Sequence, residues 1–205
     1  ASTMQELGLL DAALDPQRRA VDLRRRELGD EHLDTLASIH ALGVLLWHLR
    51  KLDEAEPYLR EALATYGHEL GEDHPSTLVA LASVALLLRT RGDLKAAEPL
   101  YRDVLARERR IAGENDRATL VSLSNLGALL VADDRLDEAE KCFAEALQGY
   151  RDVMGEEHPD TLMAIANLGG LRQAQGRLIE AEPYLREALE KRRRVLGDAH
   201  PDTLM

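Results

Sequence analysis

Apolar residues along this chain recur at helical spacing, in two alternating kinds of segment. In TLVSLSNLGALLVAD, which starts at Thr119, Leu120, Leu123, Leu126 and Leu130 are three or four residues apart. That spacing puts them on one face of a helix with 3.6 residues per turn. In DEAEKCFAEALQGYRDVMG, which starts at Asp137, the stripe is Ala139, Phe143, Ala146, Leu147 and Tyr150. The pattern predicts a first helix of about sixteen residues from the Thr-Leu pair, a short turn, and a second helix. Gly92 and Gly176 mark the turn at equivalent places. Asp53 with Glu56, and Asp137 with Glu140, have the spacing of caps at the start of the second helix. Pro57, Pro99 and Pro183 are expected near its first turn, where a missing N–H costs least.

These segments repeat with a fixed period. Gly29, Gly71, Gly113, Gly155 and Gly197 are spaced by 42 residues, as are Thr35, Thr77, Thr119, Thr161 and Thr203. Fixed self-similarity at this length is the signature of a solenoid, in which each unit buries its apolar face against its neighbours. The phrase HPDTL, at His158–Leu162 and His200–Leu204, is punctuation between such units. Two columns hold only small residues: Gly43, Ala85, Gly127, Gly169 and Ala55, Ala97, Ala139, Ala181. They are expected where paired helices cross. The reading is one all-α array of antiparallel helix pairs. Residues 1–28 form the second helix of a partial unit, centred on Asp11–Leu28. Four full repeats follow at 29–70, 71–112, 113–154 and 155–196, and 197–205 open a truncated fifth.

Leu126-Gly127, Ala139 and Ala146, and again Leu168-Gly169, Ala181 and Ala188, resemble the tetratricopeptide repeat. The 42-residue length, with GEEHPDTL, NLG and EAEPYLREAL, resembles the kinesin-light-chain type of that repeat. The resemblance covers nearly the whole chain. It implies a right-handed superhelical array whose first helices line a concave, peptide-binding side. It also implies that the asparagine of the NL pair, here Asn125 and Asn167, holds the backbone of a bound peptide. Ala41 and Ser83 break that pattern, which confines such a clamp to the C-terminal half. The third unit departs at Asp116 and Arg117, and the first at Leu33, where others have His-Pro or Pro. These departures are expected only to loosen the punctuation.

Composition narrows the function. The chain has 205 residues, 45% apolar, 31% charged and 3% aromatic, with a formal net charge of -11. That balance argues against nucleic acid and against an anionic membrane surface, both of which need a basic face. One cysteine, Cys142, excludes an internal disulfide and suits a cytoplasmic location. It shares a column with Tyr58, Leu100 and Tyr184 and reads as a packing residue.

His32, His74, His158 and His200 stand at one position of the repeat, and neighbouring units are on the order of 10 Å apart in packed helices. Metal ligands must converge to about 2 Å from one ion, so these histidines are read as turn and capping residues. GHELG at 67–71 lacks the second histidine of a metalloprotease motif. Arg24-Arg25-Arg26 and Lys191-Arg192-Arg193-Arg194 stand at the ends of second helices, where cations complement the dipole. No catalytic set and no cofactor is expected.

Helical geometry puts four columns on the inner side: Ala37, Val79, Val121, Met163; His40, Ala82, Ser124, Ala166; Ala41, Ser83, Asn125, Asn167; and Val44, Leu86, Ala128, Gly170. Trp47, Arg89, Val131 and Gln173 continue them. Trp47 is the only tryptophan and a candidate anchor, with His40 and His48 beside it. Arg89 is the clearest charge. A mostly apolar floor with few polar groups suits a peptide or helical segment of a partner, apolar or amphipathic in character, bound in the concave groove. The expected function is therefore non-enzymatic protein–protein interaction. The alternative is a regulatory arm of a larger signalling protein, acting on its own switch domain. An amide at Asn125 or Asn167 could also brace the adjacent helix instead of a ligand. A weak homodimer through Tyr184, Ala188 and Val195 is a further expectation.

Overall fold

The computed structural model describes residues 2–197. Among them are nine α-helices and no strand: α1 Ser2–Leu28, α2 Leu33–His48, α3 Leu52–Leu70, α4 Pro75–Arg91, α5 Leu94–Ala112, α6 Arg117–Ala132, α7 Leu136–Met154, α8 Pro159–Ala174 and α9 Leu178–Leu196. The first helices start at residues 33, 75, 117 and 159, and the second helices of those repeats at 52, 94, 136 and 178, so both series keep the 42-residue step. The opening of the fifth repeat, with His200, Thr203 and Leu204, lies outside the described residues. The chain divides into two compact units, Ala1–Leu100 and Tyr101–Met205. In the first, α2 packs on α1, α3 and α4, and α3 packs on α4. In the second, α7 packs on α6 and α8, and α8 packs on α9.

The repeated phrase has a physical explanation, residue by residue. His74 and His158 have extended backbones, and each Nδ1 accepts the N–H two residues on, Ser76 at 3.1 Å and Asp160 at 3.2 Å. Each histidine is therefore an N-cap, and the proline after it fills N1, where no helical N–H is needed. Thr77, Thr119 and Thr161 donate through Oγ1 to the carbonyls of Gly71, Gly113 and Gly155 at 2.8, 2.8 and 2.7 Å, closing the turn. The leucines that follow, Leu78, Leu120 and Leu162, are buried. The glycine that opens each turn has a positive φ, 88° at Gly71 and 83° at Gly155, which only glycine adopts without strain.

The small column marks close helix approach, as expected. A Cβ at Gly43 would lie 2.7 Å from Leu59, one at Gly127 2.6 Å from Phe143, and one at Gly169 2.6 Å from Leu185. Ala55, Ala97, Ala139 and Ala181 are all buried, as are Leu120, Leu123, Leu126, Leu130, Phe143, Ala146, Leu147 and Tyr150.

Several local expectations are corrected. The first helices begin two residues before the Thr-Leu pair, because the cap is at position 32 of the frame and not at the threonine. Asp53 and Asp137 do not cap. Lys51 and Arg135 occupy the cap positions of α3 and α7 without a side-chain bond, and the acids lie in the first turn, where they favour the dipole. Only before α5 does the aspartate accept such a bond, Asp93 Oδ1 from Ala96 N at 3.1 Å. Pro57, Pro99 and Pro183 are inside α3, α5 and α9, at the sixth residue, past the turn whose N–H groups are unused. α1 extends back to Ser2 and runs through Pro16, a longer helix than Asp11–Leu28. Ala188 is buried and so is not part of an open face; Val195 is exposed. The third unit's departure keeps the cap and adds an ion pair. Asp116 caps α6, accepting from Ala118 N at 2.8 Å, and Arg117 Nε donates to Asp160 Oδ2 of the next first helix at 2.7 Å.

The basic runs are tied down. Arg24 Nη1 donates to Ser38 Oγ and to the carbonyl of Asp34 at 3.1 Å. Arg25 pairs with Glu61 and with Asp30 at 3.2 Å, and Arg109 repeats the arrangement with Glu145 and with Glu114 at 2.7 Å. Lys191 pairs with Glu156 at 2.8 Å and Glu187 at 2.6 Å. The cysteine column is half-buried at Cys142, where burial pushes the thiol pKa up.

Candidate functional site

The first helices bury one face through leucine and leave the other to solvent. In the first unit the solvent side of α2 and α4 carries Ala37, Ala41 and Val79, all exposed, Val79 by 54%. His40, Val44, Trp47, Ala82, Ser83, Leu86 and Arg89 are half-buried beside them. Its polar groups are largely satisfied within the unit. Ser83 Oγ donates its one proton to the carbonyl of Val79 at 2.9 Å and accepts from His40 Nε2 at 2.9 Å. Burial lowers the His40 pKa, which keeps the ring neutral near pH 7. Thr90 repeats the device, donating to the carbonyl of Leu86 at 2.7 Å and accepting from Trp47 Nε1 at 2.9 Å. The Trp47 ring meets His48 edge-on, with centroids 4.7 Å apart. Thr90 is absent from the columns read from sequence. The signal for it is the 43-residue step that also joins His40 to Ser83.

The same side of α6 and α8, in the second unit, is different in kind. Val121 and Met163 are exposed by 37% and 55%, and Ser124, Asn125, Ala128, Val131, Ala166 and Asn167 are half-buried. Gly170 and Gln173 are exposed. None of these side chains carries a charge. Ser124 Oγ donates to the carbonyl of Leu120 at 2.9 Å and is thereby occupied. The amides of Asn125 and Asn167 have no hydrogen-bond partner among the described residues. Bracing of a neighbouring helix, the alternative role for these asparagines, therefore has no bond to rest on here. An amide of this kind supplies two donors and an acceptor, the complement of a peptide unit.

His32, His74 and His158 each cap a different helix. No helix among the described residues is long and apolar enough to cross a membrane.

The sequence matches the tetratricopeptide repeat over residues 1–67, 40–110, 116–189 and 162–205. No curated protein matches the chain. Solved structures share the fold. The kinesin light chain nearly identical TPR-like repeats of Podosopora anserina superpose with a TM-score of 0.73 at 23% identity, over 93% of this chain and 90% of that one. BtubC (BKLC) from P. vanneervenii gives 0.76 at 23% identity, over 96% and 78%. The apo form of RapI gives 0.74 at 15% identity, over 94% and 68%.

Proposed function

This chain belongs to the tetratricopeptide repeat family, whose repeats are protein–protein interaction scaffolds, and from that premise we propose that its second unit binds an uncharged apolar or amphipathic segment of a partner protein. Asn125 and Asn167 pair with the main chain of that segment, and Val121 and Met163 contact its side chains. Binding is reversible and involves no chemistry. The observation that carries this reading is the pair of half-buried amides without partners, set among uncharged neighbours on two helices whose charged residues, Arg117, Asp160 and Arg172, are already held in ion pairs. Burying a ligand's charge against such a face would cost more than burying an apolar group, because nothing there compensates it.

Short linear peptides selected by phage display on the whole chain supply the probe. Each amide-to-peptide bond contributes about 0.5–1.5 kcal/mol, so the double variant Asn125→Ala/Asn167→Ala is expected to bind them about tenfold more weakly. Its circular dichroism and melting temperature should stay close to those of the unaltered chain. Unchanged affinity would remove the clamp. A large loss of melting temperature would return the asparagines to a bracing role.

A further inference from the structure

Four glycines occur within the first helices, and three have a packing reason. Gly43, Gly127 and Gly169 lie against Leu59, Phe143 and Leu185, where a Cβ would come within 2.6–2.7 Å of a side chain. Gly170 has no such reason. Nothing lies within 4 Å of a Cβ built there, its φ is not in the left-handed region, and it is exposed. A glycine in a helix interior is less favourable than alanine, so its presence costs stability that the fold of α8 does not need. It stands one turn beyond Asn167, on the same helix face, and that amide has no partner among the described residues. The same column carries Val44 and Leu86 in the first unit and Ala128 on α6 of the second, so Gly170 is its one member without a side chain.

We infer that Gly170 is the point at which the bound segment crosses α8 with its main chain against the helix backbone. The missing side chain lets the ligand backbone come close enough for Asn167 to pair with it. Gly170 thus determines specificity. It favours a segment that is extended at the crossing, because only there are main-chain N–H and C=O groups free to pair with Asn167, whereas a helix has already used its own. The inference rests on the peptide-binding reading above.

The test uses the same phage-selected peptides and the whole chain, with Gly170→Ala and Gly170→Leu. Gly170→Ala is expected to raise the melting temperature while weakening binding. Gly170→Leu is expected to weaken it by about tenfold or more, with helicity retained. If Gly170→Leu binds as the unaltered chain does while Asn125→Ala/Asn167→Ala is weakened, the crossing point is overturned and the peptide reading stands. If neither variant is affected, or no peptide is selected, both fall. Should Gly170→Leu lose helicity, Gly170→Ala decides: equal affinity with a raised melting temperature overturns the proposal.

Discussion

Asp116 Oδ1 accepts the backbone N–H of Ala118 at 2.8 Å, the bond that His74 and His158 make through Nδ1 at 3.1 and 3.2 Å. A carboxylate at a helix N-terminus also brings negative charge to the positive end of the dipole, which an imidazole nitrogen does not. Asp116→Ala is expected to destabilise the chain by about 1 kcal/mol in urea unfolding, and Asp116→Asn by less. His74→Asp should be neutral or stabilising. An Asp116→Ala variant as stable as the parent would mean that the cap contributes nothing.

The period, the helix pairs and the crossing columns were legible because each depends on residue size or polarity repeated at a fixed step. Gly127 against Phe143 is such a case, and so is the Leu120 face. The start of the second helix was misread because Asp53 has the right spacing for a cap, yet the chain turns at Arg50, whose φ is 61°, and enters α3 through Lys51. Spacing does not reveal such a backbone turn. For the site, sequence put Asn125 and Asn167 in the inner columns but left open whether their amides were bonded. That depends on whether a donor or acceptor from another helix comes within about 3 Å, which only coordinates decide. Arg117 was read as a defect because its use requires knowing that Asp160 faces it.

Glu108 is the acid whose environment works against its charge. It is 8% exposed, and its Oε2 has no hydrogen-bond partner among the described residues. Burial raises its pKa, the Ser122 hydroxyl partly offsets this, and the charge of Asp116 adds to the rise. The folded pKa is thus above the unfolded value, so the ionised carboxylate is a cost at neutral pH. That cost is relieved as pH falls through the folded pKa toward the unfolded value of 4.5. Glu56, Glu140 and Glu156 have the opposite sign. Hydrogen bonds from Arg60, Arg172 and Lys191 lower their pKa values, so their stabilisation is lost as pH falls through the folded values. Glu108→Gln should therefore melt higher than the parent at pH 7, and the gap should close on acidification. A constant gap across that range would mean that Glu108 does not titrate differently on folding.

Gly127 and Gly170 predict opposite signs for the same substitution. An alanine at 127 would put its Cβ 2.6 Å from Cε1 and 2.8 Å from Cδ1 of Phe143, nearer than real Cβ atoms approach. Phe143 is buried on α7, so the ring cannot swing into solvent and the α6–α7 pair must separate. Overpacking of this kind costs about 1–3 kcal/mol, against about 1 kcal/mol regained from helix propensity. The clash is the larger effect, and Gly127→Ala is expected to lower the midpoint of urea unfolding. At Gly170 nothing opposes the propensity gain, so Gly170→Ala should raise it. The clash at 127 also predicts coupling: Phe143→Ala, which removes the ring that a Cβ at 127 would meet, should reduce the cost of Gly127→Ala in a double-mutant cycle. Additive effects of the two changes would show that the ring is not what holds position 127 to glycine.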